Sequence, residues 1–560
     1  MMKRLIGLII VVSLIIVAGT AFAAELKIGS RYYTKFLNRN TYDTTKYVTT
    51  GNGVGIRSEL ELTLDGRVSD RAEMGARILT VWDAYTLITP AYSDWGGWYN
   101  DNANLWQVRG MWLRFRPATI PTLNSVLLGS TDLGMFNAWT IGKIRWIDRD
   151  NARIIYGEGE ISNLKYGIGM TPMPTWWGPG WSTGPNPRSV WATGANLAFS
   201  PNQAINLKLT ASNVNASQQD PALPIDETKS VTRYNNNVEV LEIGYQPNPT
   251  YSLNGLVGVS NYAADKALIG AAQWWWPQIP YDNVTGTALK VTAGADDPFG
   301  IGLTLKGEVF DVSKDFVSIM AARRETKVLL SEGHIRYGAN VNGSTWKDDV
   351  GYTPSSFVDN GITDWNETNY QNCIGLRGAA IVPEFRRGAL GLKGEVSYLQ
   401  NGLNGQGIDT TKYFWSALNV DQSWMLAALR ADYLVPFANG LNVFAKYKIY
   451  NMTNGVDTSI STDNLSSADT EIYAGAAYQL TDEIGLTGGY KTMSYVDKGN
   501  GTNQDTKVHD ISDGMIFAEV KANVGGVDMG LAYEKVDGKD SVTSASVRDM
   551  RLKGTIEVKI

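Results

Sequence analysis

Reactive side chains are scarce in this chain of 560 residues, which holds one cysteine, Cys373, and two histidines, His334 and His509. A single cysteine excludes an intramolecular disulfide framework, a CxxC pair and a CxxCH haem attachment. The two histidines fall far apart in segments read as loops and suggest no metal set. No GxSxG elbow or phosphate-cradling glycine loop stands in a suitable context. The reading is therefore not an enzyme. No catalytic, cofactor-binding or metal residue is assigned, and a Ser-His barrel hydrolase is the one catalytic alternative.

Charge is sparse too, at 19% of residues, with 50 Lys+Arg against 56 Asp+Glu and a net charge of −6. That balance argues against nucleic acid as a partner, which would call for a basic excess. Long apolar runs are almost absent. After the N-terminus nothing approaches the roughly 18 uninterrupted apolar residues of a membrane-spanning helix. The exception is short: Lys3 and Arg4, a run from Leu5 to Val17 broken only by Gly7 and Ser13, then Ala21-Phe22-Ala23. This is the pattern of a cleaved export signal. Residues 1–23 are expected to be the signal peptide and 24–560 a single mature domain.

What the mature chain has in quantity is alternation, together with 58 Gly, 27 Tyr and 18 Trp. Near its end Met550, Leu552, Gly554, Ile556, Val558 and Ile560 share one phase; Asp549, Arg551, Lys553, Thr555, Glu557 and Lys559 share the other. Side chains of a strand have period two, so one face is apolar and the other charged. The pattern recurs. Leu26, Ile28, Tyr32 and Phe36 alternate with Lys27, Arg31 and Lys35, and Ile301, Leu303, Leu305 and Val309 alternate with Thr304, Lys306 and Glu308. Runs of roughly 9–13 residues suit tilted strands that cross a bilayer.

Connections of two kinds take turns. Tight ones are read at Asp65-Gly66-Arg67, Ser162-Asn163, Pro201-Asn202-Gln203, Pro247-Asn248-Pro249, Asp296-Asp297-Pro298, Arg386-Arg387-Gly388, Thr481-Asp482-Glu483 and Gly525-Gly526. Long polar segments lie between them, the longest at about 314–370, with room for a hidden hairpin near 327–339. Short turns on one side and long loops on the other describe a transmembrane barrel. The expected fold is all-β: one antiparallel up-and-down barrel of about 22 strands, within a range of 18–24, with short periplasmic turns and long extracellular loops. Its last strand should return to pair near Leu26 to Phe36.

A Lys or Arg facing lipid costs about 2–4 kcal/mol at the midplane, so the charged face is the lumen. Its charges are read as solvating the wall and pairing across strands, or as selecting solutes by a transverse field. The constriction candidates are Arg114 and Arg116, plus Lys143, Arg145, Arg149 and Arg153 in the stretch FNAWTIGKIRWIDRDNAR, residues 136–153. That stretch also carries Trp139 and Trp146, and would form a cationic ring if it folds inward. Trp176, Trp177 and Trp181, and Trp274, Trp275 and Trp276, form two loop clusters that pack loops together, extend an interfacial girdle or stack on sugar rings. The segment DKGNGTNQD, 497–505, offers oxygen ligands for Ca²⁺ without an EF-hand spacing.

Over its mature length the chain resembles Gram-negative outer-membrane porins. The stretch LLGSTDLGMFNAWTIGKIRWIDRDNARIIYGEGE, 127–160, is similar to the corresponding region of alginate-export-type porins. Those proteins commonly end in Phe, where this chain has Ile560. The resemblance implies an outer-membrane channel for passive or selective diffusion of small hydrophilic solutes, with no cofactor. Membrane lipid and lipopolysaccharide are its expected surroundings, and the sequence leaves a homo-oligomer open. Alternatives are polymer export, a specific sugar or anion channel, and a structural barrel sheathing a multi-protein conduit.

Overall fold

The computed structural model describes residues 25–42, 53–86, 106–131, 133–142, 152–172, 190–216, 234–264, 283–321, 330, 375–401, 423–438, 440–453, 466–498, 507–542, 544 and 546–559. The export signal at 1–23 and the hairpin sought at 327–339, Leu330 apart, lie outside them.

Among the described residues there are 22 strands. In chain order they are β1 (Glu25–Tyr42), β2 (Gly53–Ser69), β3 (Ala72–Thr86), β4 (Trp106–Phe115), β5 (Leu123–Thr131), β6 (Ala152–Ile161) and β7 (Leu164–Pro172). Then come β8 (Val190–Asn202), β9 (Ile205–Ala216), β10 (Tyr234–Asn248), β11 (Tyr251–Ala264), β12 (Val284–Asp296), β13 (Leu303–Val312), β14 (Leu376–Arg387) and β15 (Leu390–Asn401). The last are β16 (Ser423–Leu434), β17 (Leu441–Thr453), β18 (Ser466–Gln479), β19 (Ile484–Lys498), β20 (Lys507–Val524), β21 (Val527–Asp540) and β22 (Ser546–Lys559).

Each strand pairs antiparallel with the next, and β22 pairs with β1, from Arg31 opposite Lys559 to Tyr42 opposite Arg548. The sheet is closed and has no free edge, which satisfies the backbone groups that an open sheet would leave unpaired. Closure falls further along β1 than Leu26 to Phe36, because a barrel of tilted strands closes with a stagger.

Alternation sorts the two faces. Ile155, Ile168, Val309, Ile381 and Ile516 are all more than half exposed on the outside. Their neighbours Tyr156, Glu308, Phe310, Ala380, Val382 and Met515 are buried on the inside. An apolar belt this extensive is a surface built to be covered by something apolar. Its limit toward the long loops is marked by outward charge, where Asp311 stands opposite Arg377.

The turn residues foresaw most hairpins, with two omissions and one shift. Asp65-Gly66-Arg67 is not a turn: Asp65, Gly66 and Arg67 pair with Gly75, Met74 and Glu73, and the chain reverses at Asp70-Arg71. Arg67 then closes that turn on Asp70 at 2.7 Å. The reversals between β4 and β5 and between β16 and β17 were not anticipated. At the other end the β21–β22 connection, residues 541–545, is itself brief.

Candidate functional site

Among the described residues, two loop segments return into the barrel interior. In the first, residues 133–142, Leu133, Phe136, Trp139 and Ile141 are buried. Asn137 shapes it: its Oδ1 accepts from the Trp139 N–H at 2.7 Å and its carbonyl from the Ile141 N–H at 3.1 Å. In the second, residues 313–321, Phe316, Val317, Ile319 and Met320 are buried. The Trp139 and Phe316 rings meet edge to face at 6.0 Å. The Gly142 N–H donates to the Met320 carbonyl at 2.8 Å, joining the two segments into one internal shelf.

The wall beneath is shaped to receive it. Many inward positions of β10–β17 toward the loop end are apolar: Val238, Val240, Leu256, Ala288, Phe310, Val312, Leu376, Leu399, Leu426 and Tyr450 pack with the shelf's Trp139, Phe316 and Ala321. Glycine admits the closest approaches. A Cβ on Gly194 would lie 2.5 Å from the Phe136 ring, and one on Gly286 would collide with the backbone of Asp315 and Phe316. The inner face, read from the sequence as the charged one, is therefore charged only in part.

Toward the turn end the wall becomes wet and ionic. Lys393 stands opposite Arg430, Arg430 opposite Lys446, Lys446 opposite Tyr473 and Tyr473 opposite Lys491, all in one inward row across β15–β19. Carboxylates partly neutralise it: Glu384, opposite Lys393 in the same row, at 3.3 Å, and from the rows on either side Asp432 to Arg430 at 2.8 Å and Glu471 to Lys491 at 3.3 Å, with Glu471 also bound to Lys448 at 3.4 Å. Elsewhere Arg31 meets Glu557 at 2.7 Å and Lys553 meets Glu534 at 3.1 Å. Phe444, Tyr473 and Phe517 form a run of rings, each 5.1 Å from the next, with the Arg430 guanidinium 5.3 Å from the centre of Phe444. Sequence reasoning missed the shelf seat, Asn236 and Arg430; alternation does put Lys393, Lys446 and Lys491 on the lumen face, but not at one depth. The row's signal was available, as charges at matching depth in successive strands, but depth requires the register.

Of the constriction candidates, Arg114 points inward between Glu73 and Leu127. Arg116 lies beyond the end of β4, bound to Glu73 at 2.9 Å. Arg153 corrects the reading. It is exposed and shares the outward phase of Ile155, while Ile154 and Tyr156 face in, so it lines no lumen. Lys143, Arg145, Trp146 and Arg149 lie outside the described residues, as do both Trp clusters, Trp176 with Trp177 and Trp181, and Trp274 with Trp275 and Trp276. So do His334, Cys373 and all of the 497–505 segment after Lys498. His509, read as a loop residue, is part of β20, opposite Asp497.

A closed antiparallel barrel with an apolar outer belt, an ionic inner wall and an inward shelf defines a porin-like β-barrel. No family model and no curated protein matches the sequence. Solved structures similar to it include OccK1 (OpdK) of Pseudomonas aeruginosa, 10% identical with a TM-score of 0.38, covering 96% of this chain and 99% of that one. OccK9 (OpdG) of the same organism is 11% identical with a TM-score of 0.36, at 96% and 99% coverage. Its OprD is 9% identical with a TM-score of 0.34, at 96% coverage of each chain.

Proposed function

We propose that this chain is an outer-membrane channel for small hydrophilic solutes, its belt set in lipid and its lumen narrowed by the shelf. The observation that carries the reading is the inward row of Lys393, Arg430, Lys446 and Lys491. Lys393 stands directly opposite Arg430 and Arg430 directly opposite Lys446, and like charges so placed destabilise a sheet even with carboxylates close by. Such a row is tolerable where water and mobile ions fill the space in front of it. The same row favours anions, since rings of basic side chains lower the barrier to them. Polymer export fits less well, because Glu384, Asp432 and Glu471 interrupt the positive field.

Purified, folded protein in a planar bilayer is expected to give stepwise, ohmic conductance with a reversal potential on the anion side in a salt gradient. Folded protein that inserts and never conducts would refute the channel. Substituting Lys393→Glu together with Lys491→Glu is expected to move the reversal potential toward cations, and an unmoved potential would remove the row from selectivity.

A further inference from the structure

The shelf is held to the wall by a few polar side chains set in an otherwise apolar seat. Asn236, fully buried on β10, uses both ends of its carboxamide. Its Nδ2 donates to the Val317 carbonyl at 2.9 Å, and its Oδ1 accepts from the Ile319 N–H at 3.0 Å. Ser260 on β11 accepts from the Val317 N–H at 2.9 Å. These are the backbone groups that a neighbouring strand would bind. The wall's own backbone groups there are engaged in the barrel ladder, so side chains take that role. On the first segment Asn196 donates to the Met135 carbonyl at 2.9 Å. Between the segments the Ser318 hydroxyl donates to the Trp139 carbonyl at 2.8 Å, across 179 positions of sequence.

We infer that Asn236 and Ser318 are positioning residues of a single latch that docks both segments together, permanently, and so fixes the width of the lumen. Two considerations make it one unit. A buried backbone group stripped of its partner is unfavourable, so each segment's stability depends on the bonds and ring contacts of the other. Departure would also bare Val240, Leu256, Phe310 and Leu399 to lumen water, which opposes any routine opening.

The width claim rests on the channel reading; the latch does not. Hydrogen exchange on the folded full chain reads the latch, and single-channel conductance reads the width. In the unaltered protein, amides of 133–142 and 313–321 should exchange slowly; rapid exchange in either would overturn a permanent shelf. Asn236→Ala contacts only the second segment, yet it should speed exchange about tenfold or more in both, as a lost buried hydrogen bond implies. Ser318→Ala should do the same, and the double variant should add little. Asn236→Asp, which sets a carboxylate against the Val317 carbonyl in a buried seat, should speed exchange at least as much. Loosening confined to the segment that carries the lost bond defeats the single latch. Conductance should rise in Asn236→Ala, and unchanged conductance with coupled exchange defeats the width claim alone. A barrel that never conducts defeats the channel reading while the exchange result still decides the latch.

Discussion

At the scale of single residues the interior depends on what glycine leaves out. Gly194 sits on the inward face of β8 with the Phe136 ring laid across it. Gly194→Ala forces that buried ring to move and should destabilise the fold by about 1–3 kcal/mol, the range for overpacking a filled site. Urea unfolding from detergent or vesicles reads the loss. Gly194→Ala combined with Phe136→Ala should show a coupling that recovers part of it, because the clash disappears with the ring. Strict additivity would show that the approach is not tight. Gly194 was visible in the sequence as a glycine within a strand, which suggests close approach, but nothing named Phe136 as its neighbour. Arg153 failed for a related reason: it was assigned by the loop it adjoins, whereas the phase it shares with Ile155 decides where it points.

At the scale of the strand, alternation was legible wherever one face meets an apolar medium and the other meets charge. Leu429 on β16 is 54% exposed on the outer belt, and its neighbour Ala428 faces in, opposite Glu395 and Lys448. Leu429→Arg should cost about 2–4 kcal/mol if it lies near the middle of a bilayer. Ala428→Gln, one position along the same strand, should cost less, because its amide can bond to Glu395 and Lys448 on either side. Equal losses from vesicle-embedded protein would contradict the assignment of faces. Alternation changes phase where the shelf docks: on β10 the inward Val238 and Val240 are apolar and buried, while Asn237 and Glu239 between and beside them face out. A period-two reading that takes the charged side for the lumen assigns such a stretch to the wrong face. It has no way to see that a segment some eighty residues later will cover it. The one shifted turn has another cause: Asp65-Gly66-Arg67 has turn chemistry, but the ladders with β1 and β3 continue through it.

At the scale of the whole molecule, closure and obstruction are separable. The pairing of β22 with β1 runs over Arg31–Tyr42 and joins parts of the chain 526 positions apart at the Arg31–Glu557 bond. That ion pair is itself worth little, since both side chains keep solvent contact and exposed pairs contribute at most about 1 kcal/mol. The backbone ladder matters more. Without β22, β1 and β21 would each present a row of unpaired N–H and C=O groups, several kcal/mol apiece in hydrocarbon. The shelf is different: the strand-to-strand pairings of the ring run between strands and do not pass through residues 314–321. Removing residues 546–560 should therefore abolish the compact, fast-migrating band that folded barrels give on unheated SDS gels. Replacing 314–321 by a Gly-Ser linker of equal length should leave that band in place while raising conductance. If the first variant still folds, the ring does not depend on its last strand. If the second fails to fold, the shelf is part of the barrel's assembly rather than a fixture within a wall that closes by itself.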